Sequence, residues 1–308
     1  MKSSTPVLIT GAYGMLGSSL AKKSALKDWR ILAPRRSELD LADFESTSKY
    51  LAENKVGSII HCAAKVGGIQ ANIDFPADFI MENIRIDNSI LSAAREMAVE
   101  NFLYFGSSCM YPRENRQPMF EEDILTGELE PTNEGYALAK ITAAKTIQSV
   151  ASQDNLNWKV LIPSNLYGPN DNFDKESSHL IPGVIRKVIE AVEGNKQVIE
   201  IWGDGLARRE FTYVDDVADF VIENFQNANN WEPMMNIGLG IDYSINEYYE
   251  IVGNLVGYKG KFENDFTKPS GMLQKLMDSS KARSNGWKPK TDIRSGIERT
   301  IEWYKMNH

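Results

Sequence analysis

The sequence predicts an α/β fold built on a doubly wound parallel sheet, with a smaller C-terminal α/β domain. Three observations predict it. Short apolar runs alternate with helical stretches from residue 6 to about 165. Several of these runs break at their ends into small residues, as at Gly11-Ala12, Ala63-Ala64 and Gly106-Ser107. Beyond residue 169 the alternation gives way to shorter and more polar segments.

Composition narrows the class. A chain of 308 residues can bury a sizeable core. A net charge of −8 speaks against a general nucleic-acid binder, yet leaves room for a local basic pocket. The two cysteines, Cys62 and Cys109, make no disulfide framework, and with three histidines no metal-ligand spacing is present. No apolar run reaches about 18 residues, and the N-terminus has no signal-peptide core, so a cytoplasmic protein without a membrane span is expected.

The elements follow in order. Pro6–Thr10 reads as a buried strand and Ser18–Leu26 as a helix. Between them, Gly11, Gly14 and Gly17 form a glycine-rich turn. Such a turn lets backbone N–H groups approach a pyrophosphate at a helix N-terminus, the Rossmann-type arrangement for a dinucleotide. Trp29–Ala33 is the next strand. Arg35 and Arg36 after it suit a ribose 2′-phosphate, hence NADP rather than NAD. Asp40 either faces the adenine or caps the helix over 43–54. In the strand Gly57–Ala64, Ala63 and Ala64 allow close approach of a cofactor, while His61 and Cys62 read as core. Residues 65–72 read as a polar loop and Phe75–Met97 as a long helix with apolar residues on more than one face. Phe102–Phe105 is a strand that runs into Gly106-Ser-Ser-Cys-Met-Tyr-Pro112. The acidic stretch Glu121–Glu130 reads as a mobile loop, Ala137–Ala151 as a helix and Lys159–Ile162 as a strand. Further on come a helix from Ile181 to Glu193, a strand over Val198–Trp202, and a helix from Asp215 to about Asn227. A strand at Met235–Gly238, a helix over Ile245–Val256 and a final helix beyond Lys288 complete the chain. The expected division is a dinucleotide-binding domain over 1–169, rejoined by about 212–236, and a mainly substrate-binding domain over 170–308.

The chemistry centres on Tyr136 and Lys140. Four apart on a helix, they share one face. A lysine ammonium favours the phenolate, and a serine hydroxyl at the same place, Ser107, can hold a carbonyl oxygen. The three together suit ketone reduction or alcohol oxidation.

These motifs resemble the extended short-chain dehydrogenase/reductase family, and within it the GDP-L-fucose synthase branch of epimerase/reductases. The broad motifs are Gly11/Gly14/Gly17 and Tyr136/Lys140. The specific ones are Ala63–Ile69, Pro76–Phe79, Gly106–Pro112, Glu130–Glu134, Asn165–Pro169, Asn172-Phe173 and Ser178-His179, covering essentially the whole chain. The resemblance implies an NADPH-dependent epimerase/reductase of a GDP-4-keto-6-deoxy sugar. Ser107, Tyr136 and Lys140 would serve hydride transfer at C4, and Cys109 and His179 would be the acid/base pair for epimerisation beside the ketone. It implies cofactor contacts from Gly11, Gly14, Met15, Leu16, Gly17, Arg36, Asp40, Leu41, Ala63, Ala64, Lys140, Pro163, Asn165, Leu166 and His179. Ser108, Cys109, Asn165, Lys187, Trp202, Arg209 and Lys275 would contact substrate, Arg209 through the diphosphate. A homodimer paired through the helices at 75–97 and 136–151 is also implied.

The chain departs from the pattern in three places. Tyr13 stands where arginine is common, removing one NADP contact. Gly135 stands where a larger residue is usual, which alters a substrate-side wall. Ser270, Leu273 and Gln274 change a stretch that closes over the nucleotide-sugar. A C4 reductase without epimerisation, enzymes of GDP-4-keto-3,6-dideoxymannose (colitose type) or of GDP-4-keto-6-deoxyheptoses, and a non-catalytic dinucleotide-binding protein are the alternatives.

Overall fold

A computed structural model describes residues 5–25, 27, 29–268 and 272–308. In chain order its first half holds β1 (Val7–Thr10), α1 (Met15–Ala25), β2 (Ile31–Leu32), α2 (Phe44–Glu53), β3 (Ser58–His61), α3 (Ile69–Asp74), α4 (Pro76–Glu96), β4 (Asn101–Phe105), α5 (Glu134–Asp154) and β5 (Asn157–Pro163). Then come β6 (Asn165–Tyr167), α6 (Leu180–Glu193), β7 (Val198–Trp202), β8 (Arg208–Tyr213), α7 (Val214–Asn224), β9 (Met234–Ile237) and β10 (Asp242–Ser244). The chain ends with α8 (Ile245–Val256), β11 (Lys261–Asp265), β12 (Gln274–Lys275), α9 (Ser280–Ser284) and α10 (Ile293–Asn307).

The main sheet has six strands in the order β2-β1-β3-β4-β5-β9, with every neighbouring pair parallel. Apolar runs of four to seven residues suit it because a parallel sheet with helices on both faces leaves no polar side. The register sorts its side chains. Leu8, Ile59 and Phe102 lie abreast and pack under α2, α4 and α5, while their neighbours Ile9, Ile60 and Leu103 pack under α1 and α7. Each of these large side chains, fully buried, contributes about 1.5–3 kcal/mol. The chain runs outward in opposite directions from β1 and β3, so a crevice opens at their carboxyl ends.

The second lobe is built on β10-β8-β12, with β6 also pairing β8, and on the ribbon β11-β7. Its core joins Ile185 and Val188 of α6, Tyr248 and Val252 of α8 and Ile297 and Ile301 of α10. The chain crosses between lobes more than once. β8 lies in the small sheet, α7 immediately after it packs on α1, and β9 adds the sixth strand to the main sheet.

Several elements differ from expectation. The first helix begins at Met15 rather than Ser18, because the glycine turn already supplies acceptors: Gly14 N–H bonds Gly11 O at 3.0 Å and Ser18 N–H bonds Gly14 O at 2.9 Å. Residues 69–74 form a helical turn instead of continuing the loop. The acidic stretch from Glu121 is packed rather than loose. Glu121 and Asp123 are buried, and Glu121 Oε1 accepts the Asn236 N–H at 2.8 Å. β8, β10, β11 and β12 were not expected; they are rich in polar residues, and their partners are remote in sequence. The last helix starts at Ile293, where Asp292 accepts from Ser295 N–H as its cap.

Candidate active site

The glycine turn shows two kinds of glycine. Gly11 has φ of 63°, and a Cβ there would lie 2.8 Å from Ala63 N. A Cβ on Gly17 would come within 2.1 Å of Gly11 O. Both glycines are demanded by the protein's own packing. Gly14 is not: its Cβ would meet Gly11 O at an ordinary 3.5 Å, and it opens onto the crevice ahead of α1. That cradle, floored by Ala63 and Ala64 and set at the positive end of α1, fits a dinucleotide pyrophosphate. Met15 and Leu16 begin that helix. At the rim, the Arg35 guanidinium lies 4.1 Å from the Tyr13 ring centroid, and Arg36 is exposed. Asp43, not Asp40, caps α2; Asp40 accepts from Ala42 N–H at 3.0 Å, and Leu41 is half-buried beside it.

At the carboxyl end of β4 the chain turns through Ser107, Ser108 and Cys109 onto the face of α5. The Ser107 hydroxyl accepts the Cys109 N–H at 3.4 Å and lies close enough to the Tyr136 phenol and the Cys109 thiol to favour their ionised forms. Ser108 and Cys109 are buried. Lys140 Nζ donates to Phe105 O at 3.0 Å and lies 5.8 Å from the Tyr136 ring centroid. Burial pushes the Tyr136 phenol well up and, with Cys109 and Asp87 adding to it, outweighs the Ser107 hydroxyl. Burial pushes Lys140 down, against the pull of Asp87. Burial also pushes the Cys109 thiol up, offset by Ser107, Lys275 and Lys140.

His179 stands at the N-cap of α6 without capping it. The residue keeps solvent-exposed surface, while the protein around its imidazole desolvates it and holds its pKa below the ordinary histidine value. The loop before it is pinned to the crevice by the Gly68 N–H bond to Ser177 O at 3.0 Å. Pro163 ends β5; Asn165 Nδ2 donates to Glu210 O at 3.3 Å, and Leu166 packs against the main core.

The substrate residues divide. Arg209 and Lys275 are directly opposite in the parallel pair β8/β12. Two cations abreast repel, and partial burial pushes both pKa values down. Arg209 Nη1 is steadied by Arg208 O at 2.8 Å and Met272 O at 2.6 Å. Such a pair suits a diphosphate. Trp202 is 60% exposed, with Lys268 Nζ 5.6 Å from its ring centroid. The Lys187 ammonium donates to Glu200 O and lies 5.7 Å from the Tyr249 ring centroid.

The departures also resolve differently. A Cβ on Gly135 would meet Pro76 O at 2.9 Å, so this glycine lets α5 close on the start of α4. Leu273 is exposed, Gln274 Nε2 donates to Asp242 Oδ2 at 2.5 Å, and Ser270 lies outside the described residues. Asn83 was missed by sequence reasoning. Buried on α4, it accepts Lys65 N–H at 2.9 Å and donates to Lys65 O at 3.0 Å, shaping the loop beyond β3. An asparagine four residues after Phe79 and seven before Ile90, on the apolar stripe of the helix, was the available signal.

The doubly wound sheet, the glycine turn and the Ser107–Tyr136–Lys140 group fit a dinucleotide-dependent oxidoreductase. The chain belongs to the NAD dependent epimerase/dehydratase family, whose model matches residues 7–238. Within it the chain stands with the GDP-L-fucose synthase-like epimerase/reductases of GDP-keto sugars. It is 44% identical over 299 residues to GDP-L-colitose synthase of Yersinia pseudotuberculosis, covering 97% of each chain. It is 38% identical to GDP-L-fucose synthase of Escherichia coli K12, covering 98% of this chain and 97% of that one. Among solved structures, a GDP-mannoheptose C4 reductase from Campylobacter jejuni with NADP bound superimposes with a TM-score of 0.89 at 33% identity, covering 99% of both chains.

Proposed function

We propose that the protein is an NADPH-dependent epimerase/reductase of a GDP-4-keto-6-deoxy sugar, inverting carbons beside the C4 ketone and reducing C4. The observation that carries this reading is the convergence at the end of β4 of Ser107, whose Oγ accepts the Cys109 N–H at 3.4 Å, with Lys140, which donates to Phe105 O at 3.0 Å and lies 5.8 Å from the Tyr136 ring centroid; it sets a carbonyl-polarising group beside a proton-transfer group. When bound, NADPH supplies the hydride to C4. The turn that Gly11 and Gly17 shape takes its pyrophosphate at the open Gly14, and Arg36 takes its 2′-phosphate.

Tyr136 and Ser107 bond the C4 oxygen. A carbon beside that ketone gives up its proton because the resulting enolate places charge on the oxygen they hold. Cys109 and His179 remove and return that proton on opposite ring faces. Burial raises one pKa and lowers the other, so the resting pair is a thiol and a neutral imidazole. On reduction, Tyr136 protonates the alkoxide, and Lys140 steadies the phenolate left behind. Arg209 and Lys275 hold the diphosphate, and Trp202 lines the nucleotide rim. The cofactor domain comprises 1–169 with the return at about 212–236, and 170–308 mainly holds the sugar nucleotide. A second copy docks on α4 and α5, where Met81, Ile84 and Leu138 are exposed apolar residues.

Incubation with GDP-4-keto-6-deoxymannose and NADPH in D₂O tests the reading. The expected product is GDP-L-fucose carrying deuterium at C3 and C5. Reduction without deuterium at either carbon would mean a plain C4 reductase. Turnover confined to the 3,6-dideoxy analogue, with deuterium at C5, would identify a colitose-type enzyme.

A further inference from the structure

A buried chain of hydrogen bonds runs from the end of β1 to Tyr104, whose ring lies under Lys140, and the reaction as described leaves it unused. Thr10 Oγ1 accepts the Cys62 and Ala63 N–H groups at 3.1 and 3.2 Å and lies 2.7 Å from His61 Nδ1. With both acceptor directions taken, the Thr10 hydroxyl donates to Nδ1. The ring proton therefore sits on Nε2, which donates to Asp87 Oδ1 at 3.0 Å. Tyr104 OH donates to Asp87 Oδ2 at 2.8 Å. Both carboxylate oxygens are thus met by neutral donors, and Asp87 is the only charged member of the chain. Lys140 Nζ lies over the Tyr104 ring, 4.5 Å from its centroid. Thr10, His61, Asp87, Tyr104 and Lys140 are all buried. A phenol that donates to a carboxylate has a more electron-rich ring, and its face attracts a cation more strongly.

We infer that Asp87, acting through Tyr104, is the buried counter-charge that keeps the Lys140 ammonium charged beside Tyr136. His61 and Thr10 are the positioning residues that hold Asp87 and tie it to the cofactor-side backbone at Cys62 and Ala63. The inference rests on the roles proposed above for Tyr136 and Lys140. The groups facing Lys140 come from every element around it: Tyr136 on α5, Tyr104 and the Phe105 carbonyl on β4, Asp87 on α4, Cys62 after β3 and Cys109 in the turn after β4. Burial pushes both thiols up, which keeps them neutral and leaves Asp87 as the anion of the group. Desolvation alone would push Lys140 down, and Asp87 opposes it.

The test follows the Lys140 titration in the intact protein without substrate, by carbon-13 NMR of ε-labelled lysine, with Lys140→Arg assigning the signal. Removing a nearby negative charge makes an ammonium easier to deprotonate. Asp87→Asn is expected to lower the Lys140 midpoint by about one pH unit. Tyr104→Phe, which keeps the ring and its packing, should lower it less and in the same direction. The alkaline limb of kcat for keto-sugar reduction should move down with it. Tyr104→Phe loses a single buried oxygen and decides alone where Asp87→Asn does not fold. A Lys140 midpoint unmoved in the folded variants overturns the inference, even where turnover falls, because that pattern marks a merely structural role. This readout uses no keto sugar, so its failure is distinct from failure of the proposed substrate.

Discussion

A Cβ placed on Gly17 would sit 2.1 Å from Gly11 O, whereas one on Gly14 would make an ordinary 3.5 Å contact. The two alanine variants should therefore fail in different ways. Gly17→Ala is expected to destabilise the fold by about 1–3 kcal/mol, seen as a lower denaturation midpoint. Gly14→Ala should keep its midpoint and lose NADPH affinity, seen by fluorescence titration; equal loss of stability in both would contradict the division. Cys109 carries a second prediction. Cys109→Ser keeps the size and the Ser107 contact but exchanges the thiol for a far weaker acid. Epimerised product should fall about 10²–10⁴-fold, while NADPH binding stays intact. Deuterium incorporation beside C4 at the native rate would remove Cys109 from proton transfer. That Ser107, Tyr136 and Lys140 lie together could be anticipated because small residues at strand ends and a helical Tyr-x-x-x-Lys are local features. The orientation of Lys187 was not legible, since its partner, the Glu200 carbonyl, is supplied by a neighbouring strand.

Glu210 acts at the scale of elements. Buried on β8, its two oxygens accept the Gly240 N–H at 2.6 Å and the Met277 N–H at 3.0 Å, tying the small sheet to the segments beyond β9 and β12. Burial outweighs these bonds and pushes its carboxyl up to about 7. Its folded pKa lies above its unfolded value, so the stabilisation is complete below the unfolded pKa of about 4.3 and is lost as pH rises through about 7. Its contribution to unfolding free energy should decline between pH 5 and pH 8 by a few kcal/mol at most. Glu210→Gln should flatten that slope in chemical denaturation curves; an unchanged slope would place the titration elsewhere. The strands around Glu210 escaped the sequence for a related reason. β8 reads Arg-Arg-Glu-Phe-Thr-Tyr, and its first three residues suggest a solvated loop. Arg208 is instead matched by Asp242 at 2.8 Å across the β10 pairing. The acidic turn at 121–123 was misread in the same way, because the backbone N–H of Asn236, which Glu121 meets, lies on β9.

The whole molecule places its chemistry where the two lobes meet. The main sheet presents Ser107, Cys109, Tyr136 and Lys140; the small sheet brings Arg209 and Lys275 abreast; and α6 starts at His179. The exposed residues Met81 and Leu138 lie on α4 and α5, which pack on each other. Met81→Glu with Leu138→Glu is expected to convert a dimer into a monomer in light scattering, with the denaturation midpoint of the protomer retained; an unchanged mass would exclude this face. The sequence by itself determined the parallel sheet, the glycine turn and the placing of Ser107, Tyr136 and Lys140 at a strand end and on one helix face, because apolar runs, turn glycines and helical spacing act within about ten residues. Only the tertiary structure decided that Arg209 faces Lys275, that Gly135 serves the closure of two helices, and that His61, Asp87 and Tyr104 form one buried chain reaching Lys140. Each of those pairings joins residues distant in sequence, and its energy exists only once the backbone has folded and water has been excluded between them.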